Sequence, residues 1–316
     1  RYNVLMTPEN FNTPMGLVRT IREHMKPSHQ IILAEMGAKN VGDIQELCEL
    51  VHPRYGIITS VGEQHLETFG SVDNILHTKF ELADALPQDS HLFLNMDNAL
   101  IAQQASLVTV PMSGYGLTNG DYTAGEITQD AAGTHFVITA PGGEQQAFTT
   151  RLLGRHNIQN LAGCIAVAHH LGIPLKELVY PVRMLRPVEH RLQLRPGGII
   201  DDAYNSNPAG FRGALEVLRD FTGQRVLVTP GMVELGERQE ALNRELGAAA
   251  ADCCDYAVLV GERQAPPLKE GLLSAGFDPK RIFVAATLQE GLRFVQSLPA
   301  EGPRTILLEN DLPDNF

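Results

Sequence analysis

The sequence predicts an α/β protein of two units: a central, mostly parallel sheet carrying a small antiparallel insertion, then a second, Rossmann-like doubly wound unit. Three observations carry this. Strand-like apolar runs alternate with helical patterns, which is the rhythm of parallel strands joined by crossover helices. Between Val108 and Leu153 that rhythm gives way to short alternating runs, and after a linker at Arg186-Pro187 it restarts. The 316 residues are long enough for two cores. The expected boundaries are 1–187 and 188–316.

In chain order, Arg1-Tyr-Asn-Val-Leu-Met6 reads as a strand already under way, without an initiator methionine, so the chain is expected to be a piece of a longer protein. Strands follow at 31–35, 55–60 and 91–95, with helices from Asp43, from Ser71 and after Asn95. Pro141-Gly142-Gly143 marks a hairpin turn between Phe136-Val-Ile-Thr139 and Phe148-Thr-Thr150. Helices over 156–171 and 175–184 close the first unit. The second opens with a hairpin-like pair, 191–195 and 198–202, and continues with strands at 225–229, 256–260, 281–284 and 305–309, with helices between them. Within it, Ile199-Ile200 ends a buried run, Asp201 and Asp202 sit at the strand's carboxyl end, and Asn207-Pro208 opens a helix with proline in its first turn. Ligands of open α/β sheets bind at that edge.

Composition narrows the function. A 43% hydrophobic and 20% charged chain is that of a soluble globular protein. A net charge of -12 with no basic block argues against nucleic acid, and no apolar run approaches a membrane span. Cys48, Cys164, Cys253 and Cys254 lack zinc spacing. The adjacent pair, placed in a helical stretch, is a poor disulfide candidate, so reduced thiols and a cytoplasmic location are expected.

Several side chains can do chemistry. Glu35 ends an apolar run, His65 follows the strand at 55–60, and Asn95 and Asp97 follow 91–94. Singly each reads as a cap or surface residue; together, on three successive strands of one sheet, they suggest a site for a hard divalent cation beside phosphates. Lys79 falls within the apolar helical face of Val72, Ile75, Leu76, Ala83 and Leu86. It either lays its stem on that face and reaches water, or is a desolvated amine that favours the neutral form. A neutral amine can take up carbon dioxide as a carbamate, turning a cation into an anionic metal ligand. Gly154-Arg-His-Asn-Ile-Gln-Asn160 opens a helix where His156, Asn157 and Asn160 can either cap it or hold an anion or a base edge. A phosphate loop needs Gly-Lys-Ser/Thr, and Gly-Lys occurs nowhere in the chain.

These motifs together resemble the Mur ligases. The resemblance runs through Thr7-Pro-Glu-Asn-Phe-Asn-Thr-Pro-Met-Gly16, Glu35-Met-Gly37, His65-Leu-Glu67, Phe69-Gly-Ser71, Lys79, Asn95-Met-Asp97, Gly154-Arg-His-Asn157 with Asn160, Arg191, Asp201-Asp-Ala-Tyr-Asn-Ser-Asn-Pro208 and Gly231-Met-Val-Glu-Leu-Gly236. It implies a central ATPase domain and an amide-forming ligase that uses ATP and Mg2+. Glu-Met-Gly and the Asp-Asp-Ala-Tyr-Asn-Ser-Asn-Pro segment are most similar to the member that joins D-Ala-D-Ala to UDP-MurNAc-tripeptide. By motif match, Glu35 and His65 would serve magnesium, Lys79 would be the carbamylated lysine, and His156, Asn157 and Asn160 would lie near the nucleotide base. Arg191 would reach the phosphates, Asp201 or Asp202 the ribose, and Tyr204, Asn205 and Asn207 an interdomain cleft. Catalytic roles would fall to Lys79, His65 and Arg191. Pro230-Gly231-Met232 and Asn243 depart from common family residues, Gly-Asp-Met and histidine. A monomer is expected, and without the phosphate loop the chain is expected to be inactive alone. The alternatives are a folylpolyglutamate synthetase-like ligase and a non-catalytic binding subunit of the same family.

Overall fold

The computed structural model describes all residues except 9–10, 63–65, 131, 204–206, 234, 300–301 and 311–316. The fold is mixed α/β with parallel-dominated sheets, in two compact units. The first comprises residues 1–125, 138–146 and 159–178; the second comprises 126–137, 147–158 and 179–316.

In the first unit, β1 (Val4–Met6) pairs in parallel with β2 (Ile31–Leu33), and between them lies α1 (Pro14–His24). Thr13 caps α1 by accepting from the Gly16 N–H, and Pro14 occupies its first turn. That helix is absent from the sequence expectation although cap and proline mark its start. After α2 (Asp43–Val51) come β3 (Tyr55–Ile58), α3 (Leu66–Phe69), α4 (Val72–Ala85), β4 (His91–Asn95), α5 (Ala99–Ala105) and β5 (Met112–Gly116). β3, β4 and β5 are parallel neighbours, with Ile58 opposite Leu94 and Asn95 opposite Tyr115. The helix from Ser71 is present as α4, with Ser71 as its cap. Its Ile75, Ala83 and the following Leu86 pack with Leu92, Leu94 and Ile101 in one core cluster.

Ile31–Leu33 does not extend the sheet of 55–58 and 91–95 but pairs with Val4–Met6 in a separate two-stranded sheet. Three residues make a short ladder, and Ile32 and Leu33 are exposed rather than covered by helices, unlike the fully buried Leu92 and Leu94.

The remaining strands of the larger sheet are β6 (Tyr122–Asp130), β7 (Gly133–Thr139) and β8 (Gln145–Thr150), in the order β3-β4-β5-β6-β7-β8. The turn expected at 141–143 is present, closed by the Ala140 N–H donating to the Glu144 carbonyl at 2.8 Å. Phe136 and Phe148 stack on either side of that hairpin. Two helices follow, α6 (Arg155–His170) and α7 (Leu175–Met184).

The second unit contains a six-stranded sheet ordered β13-β12-β11-β14-β10-β9. Its elements are β9 (Gln193–Arg195), β10 (Ile199–Asp202), α8 (Pro208–Asp220), β11 (Gln224–Thr229), α9 (Gln239–Ala250), β12 (Tyr256–Val260), α10 (Ala265–Ser274), β13 (Ile282–Ala285), α11 (Leu288–Ser297) and β14 (Arg304–Glu309). Only β9 is antiparallel; it forms the expected hairpin with β10. Side chains alternate between two cores, as a sheet covered on both faces requires. Leu227, Ala257, Leu259 and Leu307 join one cluster with Phe211, Leu246 and Leu268, whereas Val226, Val228, Val258 and Val260 join Ala285 and Val295 in another.

Contrary to the sequence expectation, the adjacent cysteines do not lie in a helix. Helix α9 ends at Ala250, so Cys253 and Cys254 lie beyond it, where the alanine run 248–251 gives way to Asp252. All four cysteines are free. No helix among the described residues is long and apolar enough to cross a membrane.

Candidate functional site

On the first unit, Lys79 is half-buried on α4. Desolvation by its apolar surroundings lowers its pKa from the ordinary lysine value. Glu35 lies two residues past β2, exposed, with Oε1 accepting from the Asn12 amide at 3.1 Å and its own N–H donating to the Thr7 hydroxyl at 3.0 Å. Asn12 also accepts through its backbone carbonyl from the Gly37 N–H at 2.8 Å. A Cβ on Gly37 would come within 2.9 Å of the Asn12 side chain, so Glu35-Met-Gly37 needs its glycine. His65 lies outside the described residues, and no group of three or more His, Cys, Asp or Glu able to hold a metal occurs among those described.

Asn95 and Asp97 are engaged in building a loop. The Asn95 amide donates to the Thr59 carbonyl at 2.7 Å and its oxygen accepts from the Asp97 N–H. Asp97 accepts from the N–H groups of Leu117, Thr118 and Asn119, the Thr118 hydroxyl, and the Asn119 and Gln159 amides. Those donors outweigh desolvation and hold its carboxyl below the usual range. A carboxylate so fully satisfied is a structural anchor, which accounts for two of the polar residues the sequence groups with a cation.

On the second unit, the polar residues gather at the carboxyl ends of β10, β11 and β14, where the strand order reverses. Asp201, 4% exposed, is held by Arg195 at 2.5 Å, by His190 Nδ1 at 3.1 Å and by the Ala203 N–H at 3.2 Å. Asp202 instead accepts from the Leu192 N–H at 2.9 Å and lies opposite Glu309 of β14, which is fully buried. Burial pushes the Asp202 carboxyl above its ordinary pKa, against the Leu192 N–H, a side-chain hydrogen bond with Glu309, and the charges of His156 and Arg191. Two carboxyl groups joined by a hydrogen bond share one proton. Sequence reasoning singles out the two aspartates equally and misses Glu309. The structure separates them: Asp201 is consumed by Arg195 and His190, while Asp202 stands beside His156.

Exposed Arg191 is flanked by His190 and Leu192, both non-glycine residues at positive φ (58° and 45°). Such backbone is held only where its surroundings over-determine it, here by the bond from Leu192 to Asp202. His156 folds back over Gly154, whose φ is +89° and where a Cβ would come within 2.8 Å of the imidazole. Although His156 keeps surface in solvent, desolvation of the ring lowers its pKa, the Asp202 charge working the other way. The Asn157 amide donates to the Leu153 carbonyl at 2.7 Å, a local tether at the helix start, and Asn160 is exposed one turn on. Asn207 accepts from the Gly210 N–H at 2.9 Å and caps α8, so the cap is the asparagine and neither aspartate. Tyr204 and Asn205 lie outside the described residues.

The departures from family residues also have a physical account. Asn243, fully buried, accepts from the Met232 N–H at 2.8 Å and donates to the carbonyls of Met232 and Gln239, both at 2.9 Å. The Asn310 amide donates to the Gly231 carbonyl, and Gly231 has φ +78° with Asn243 and Gln264 too close for a Cβ. An amide offers a donor and an acceptor to the backbone N–H and carbonyl of one residue, Met232, which fixes the 231–232 turn.

Asp202 gives a pH prediction. Its folded pKa is raised, so folding is favoured with the proton on, and stability falls as pH rises from about 4, the ordinary carboxyl value, through the folded pKa. Asp202→Asn should flatten that fall in denaturant melts taken from pH 4 to pH 8. Parallel pH profiles for the parent and variant would overturn it.

Two family matches cover most of the chain: the Mur ligase middle domain over residues 1–168 and the Mur ligase glutamate ligase domain over 190–308. The UDP-N-acetylmuramoyl-tripeptide--D-alanyl-D-alanine ligase of Bacillus subtilis is 32% identical over 255 residues, 78% of this chain and 54% of the relative. Its Escherichia coli counterpart is 30% identical over 269 residues, 83% of this chain and 59% of the relative. The chain thus spans somewhat over half the length of these curated relatives. The crystal structure of MurF from Acinetobacter baumannii superposes with a TM-score of 0.77 at 26% identity, covering 98% of this chain and 68% of that one. With both domain families matched in order, the chain belongs to the Mur ligase family.

Proposed function

We propose that this chain forms the central ATPase and C-terminal domains, 1–187 and 188–316, of a cytoplasmic, monomeric ligase that joins D-Ala-D-Ala to UDP-MurNAc-tripeptide. ATP would phosphorylate the tripeptide carboxylate, the dipeptide amine would attack the acyl phosphate, and phosphate and ADP would leave. Catalysis of this kind is positioning and charge neutralisation. The observation that carries the reading is Lys79: a half-buried lysine of lowered pKa on the apolar side of α4, at the position matching the family's modified lysine. The named activities of the Bacillus subtilis and Escherichia coli relatives support the substrates.

The donor chemistry suits magnesium, with a carboxylate at Glu35 held by Asn12, His65, and the oxygens that a carbamate would place on Lys79. When bound, that ion would neutralise phosphate charge. His156, Asn157 and Asn160 would orient the base, Asp202 with Glu309 behind it the ribose, and Arg191 the phosphates.

The test is acceptor-dependent ADP release by the enzyme at the full length of its relatives, with UDP-MurNAc-tripeptide and ATP supplied. Release should require D-Ala-D-Ala. Release supported by glutamate and indifferent to D-Ala-D-Ala would replace this reading with the folylpolyglutamate type.

A further inference from the structure

A cleft of about 1270 Å³ on the second unit shares no lining residue with the strand-end site just described, apart from Arg195. Four arginines line it, Arg151, Arg183, Arg186 and Arg195, against one carboxylate, Glu189. In a chain with a net charge of -12 that concentration runs against the overall balance. No lysine is among the lining residues, so every cation there is a planar guanidinium, the group that binds phosphate oxygens through two parallel N–H donors.

The arginines converge from different segments. Arg151 follows the end of β8, Arg183 sits in the last turn of α7, and Arg186 and Arg195 come from the chain leading into and through β9. Arg195 is bound to Asp201. Arg151, Arg183 and Arg186 are exposed and form no ion pair with any described residue. At the helix end Arg183 alone would be an ordinary dipole-compensating residue. Three unneutralised guanidiniums around one concavity repel one another, and an anion of several charges relieves that repulsion. His135 lines the same cleft, its Nδ1 fixed by the Thr149 hydroxyl at 3.0 Å and its Nε2 facing Asp130 at 3.2 Å, so both ring nitrogens are already engaged. Tyr180, 71% exposed, offers a flat ring at the rim. The concavity of the cleft suits a small molecule rather than a flat membrane or a protein surface.

We propose that this cleft binds a small polyphosphorylated ligand, an inorganic oligophosphate or a nucleoside polyphosphate, independently of the ligase reading. The test is calorimetric titration of the chain with inorganic tripolyphosphate at low ionic strength, with GTP in a parallel arm. Arg183→Ala/Arg186→Ala should weaken tripolyphosphate binding at least tenfold, while Arg183→Lys/Arg186→Lys keeps part of it. Both positions are exposed, so circular dichroism should show the variants folded. Arg191→Ala, which removes the guanidinium proposed for phosphates at the strand-end site, should leave tripolyphosphate binding as in the parent, which separates this cleft from that site. GTP binding tighter than tripolyphosphate, with the difference lost in Tyr180→Ala, would assign the nucleoside form, and equal binding the inorganic one. No binding by the parent, or equal binding by the parent and the double alanine variant, would overturn the proposal.

Discussion

On the proposed ligase reading, Lys79→Ala in the enzyme at the full length of its relatives is expected to lower amide formation by about 100- to 1000-fold, the scale of losing one preorganised charge-stabilising group, while leaving the fold intact. Lys79 occupies α4 beside the buried Ile75 and Ala83, and the amine is desolvated enough to lower its pKa. A lowered pKa means that folding disfavours the ammonium. Between the folded value and the ordinary lysine value near 10.4 the unfolded chain binds the extra proton, so stability rises with pH across that window. Alanine removes the desolvated charge and is the best helix former. Lys79→Ala should therefore be at least as stable as the parent at pH 7, and its advantage should shrink as pH rises toward the ordinary lysine value. A short carboxylic acid such as acetate should restore part of the activity by standing in for a carbamate. Carbon-13-labelled bicarbonate should give a carbamate resonance in the parent and none in the variant. An alanine variant as active as the parent would show that Lys79 is an ordinary lysine lying along an apolar surface.

The contrast between what the sequence foretells and what it leaves out follows from the range of the interactions. Strand 256–260 and helix 175–184 are read to the residue because their periods are local. Asn207-Pro208 is read as a helix start because cap and proline adjoin. Helix 14–24 offers the same signal in Thr13-Pro14 and was there to be found. Long-range partners leave no such trace. Nothing near Asp202 in the chain points to Glu309, 107 positions later, although parallel pairing of β10 and β14 sets the two opposite each other. Nor does Asp97 advertise its donors at 117–119 and 159. The two aspartates 201 and 202 are indistinguishable as sequence because strand alternation sends them to different sides, and only the packed environment decides which is bound by arginine. The pairing of Ile31–Leu33 likewise depends on which strand lies beside it, which hydrophobicity alone does not specify.

Glu81 is where the largest loss of stability is expected, and it is a residue whose helical position two places from Lys79 suggests only a side chain pointing off that face. It is 7% exposed, and both carboxylate oxygens are used: Oε1 accepts from the Gly42 N–H at 2.8 Å and Oε2 from the Gln45 N–H at 2.9 Å. Those donors open α2, whose own capping position is Gly42 at φ +93° with no side chain to offer. Glu81 is therefore the cap of α2, supplied from another helix, and its charge meets the positive end of the helix dipole. Glu81→Ala leaves two donors without an acceptor at about 1–3 kcal/mol each, so a loss of about 3 kcal/mol or more is expected. Glu81→Gln should lose less, since one oxygen remains while the amide nitrogen confronts the second N–H. Hydrogen exchange gives a local readout: the amides of Gly42 and Gln45 should exchange faster in both variants, and in Glu81→Ala the faster exchange should extend along α2. Cys48 on the same helix gives another. Burial pushes its thiol up to about 11, with the Glu81 charge adding to it, so Glu81→Gln should let Cys48 titrate lower and react faster with an alkylating reagent. Unchanged protection at Gly42 and Gln45 in Glu81→Ala would mean that α2 is capped by something other than this carboxylate.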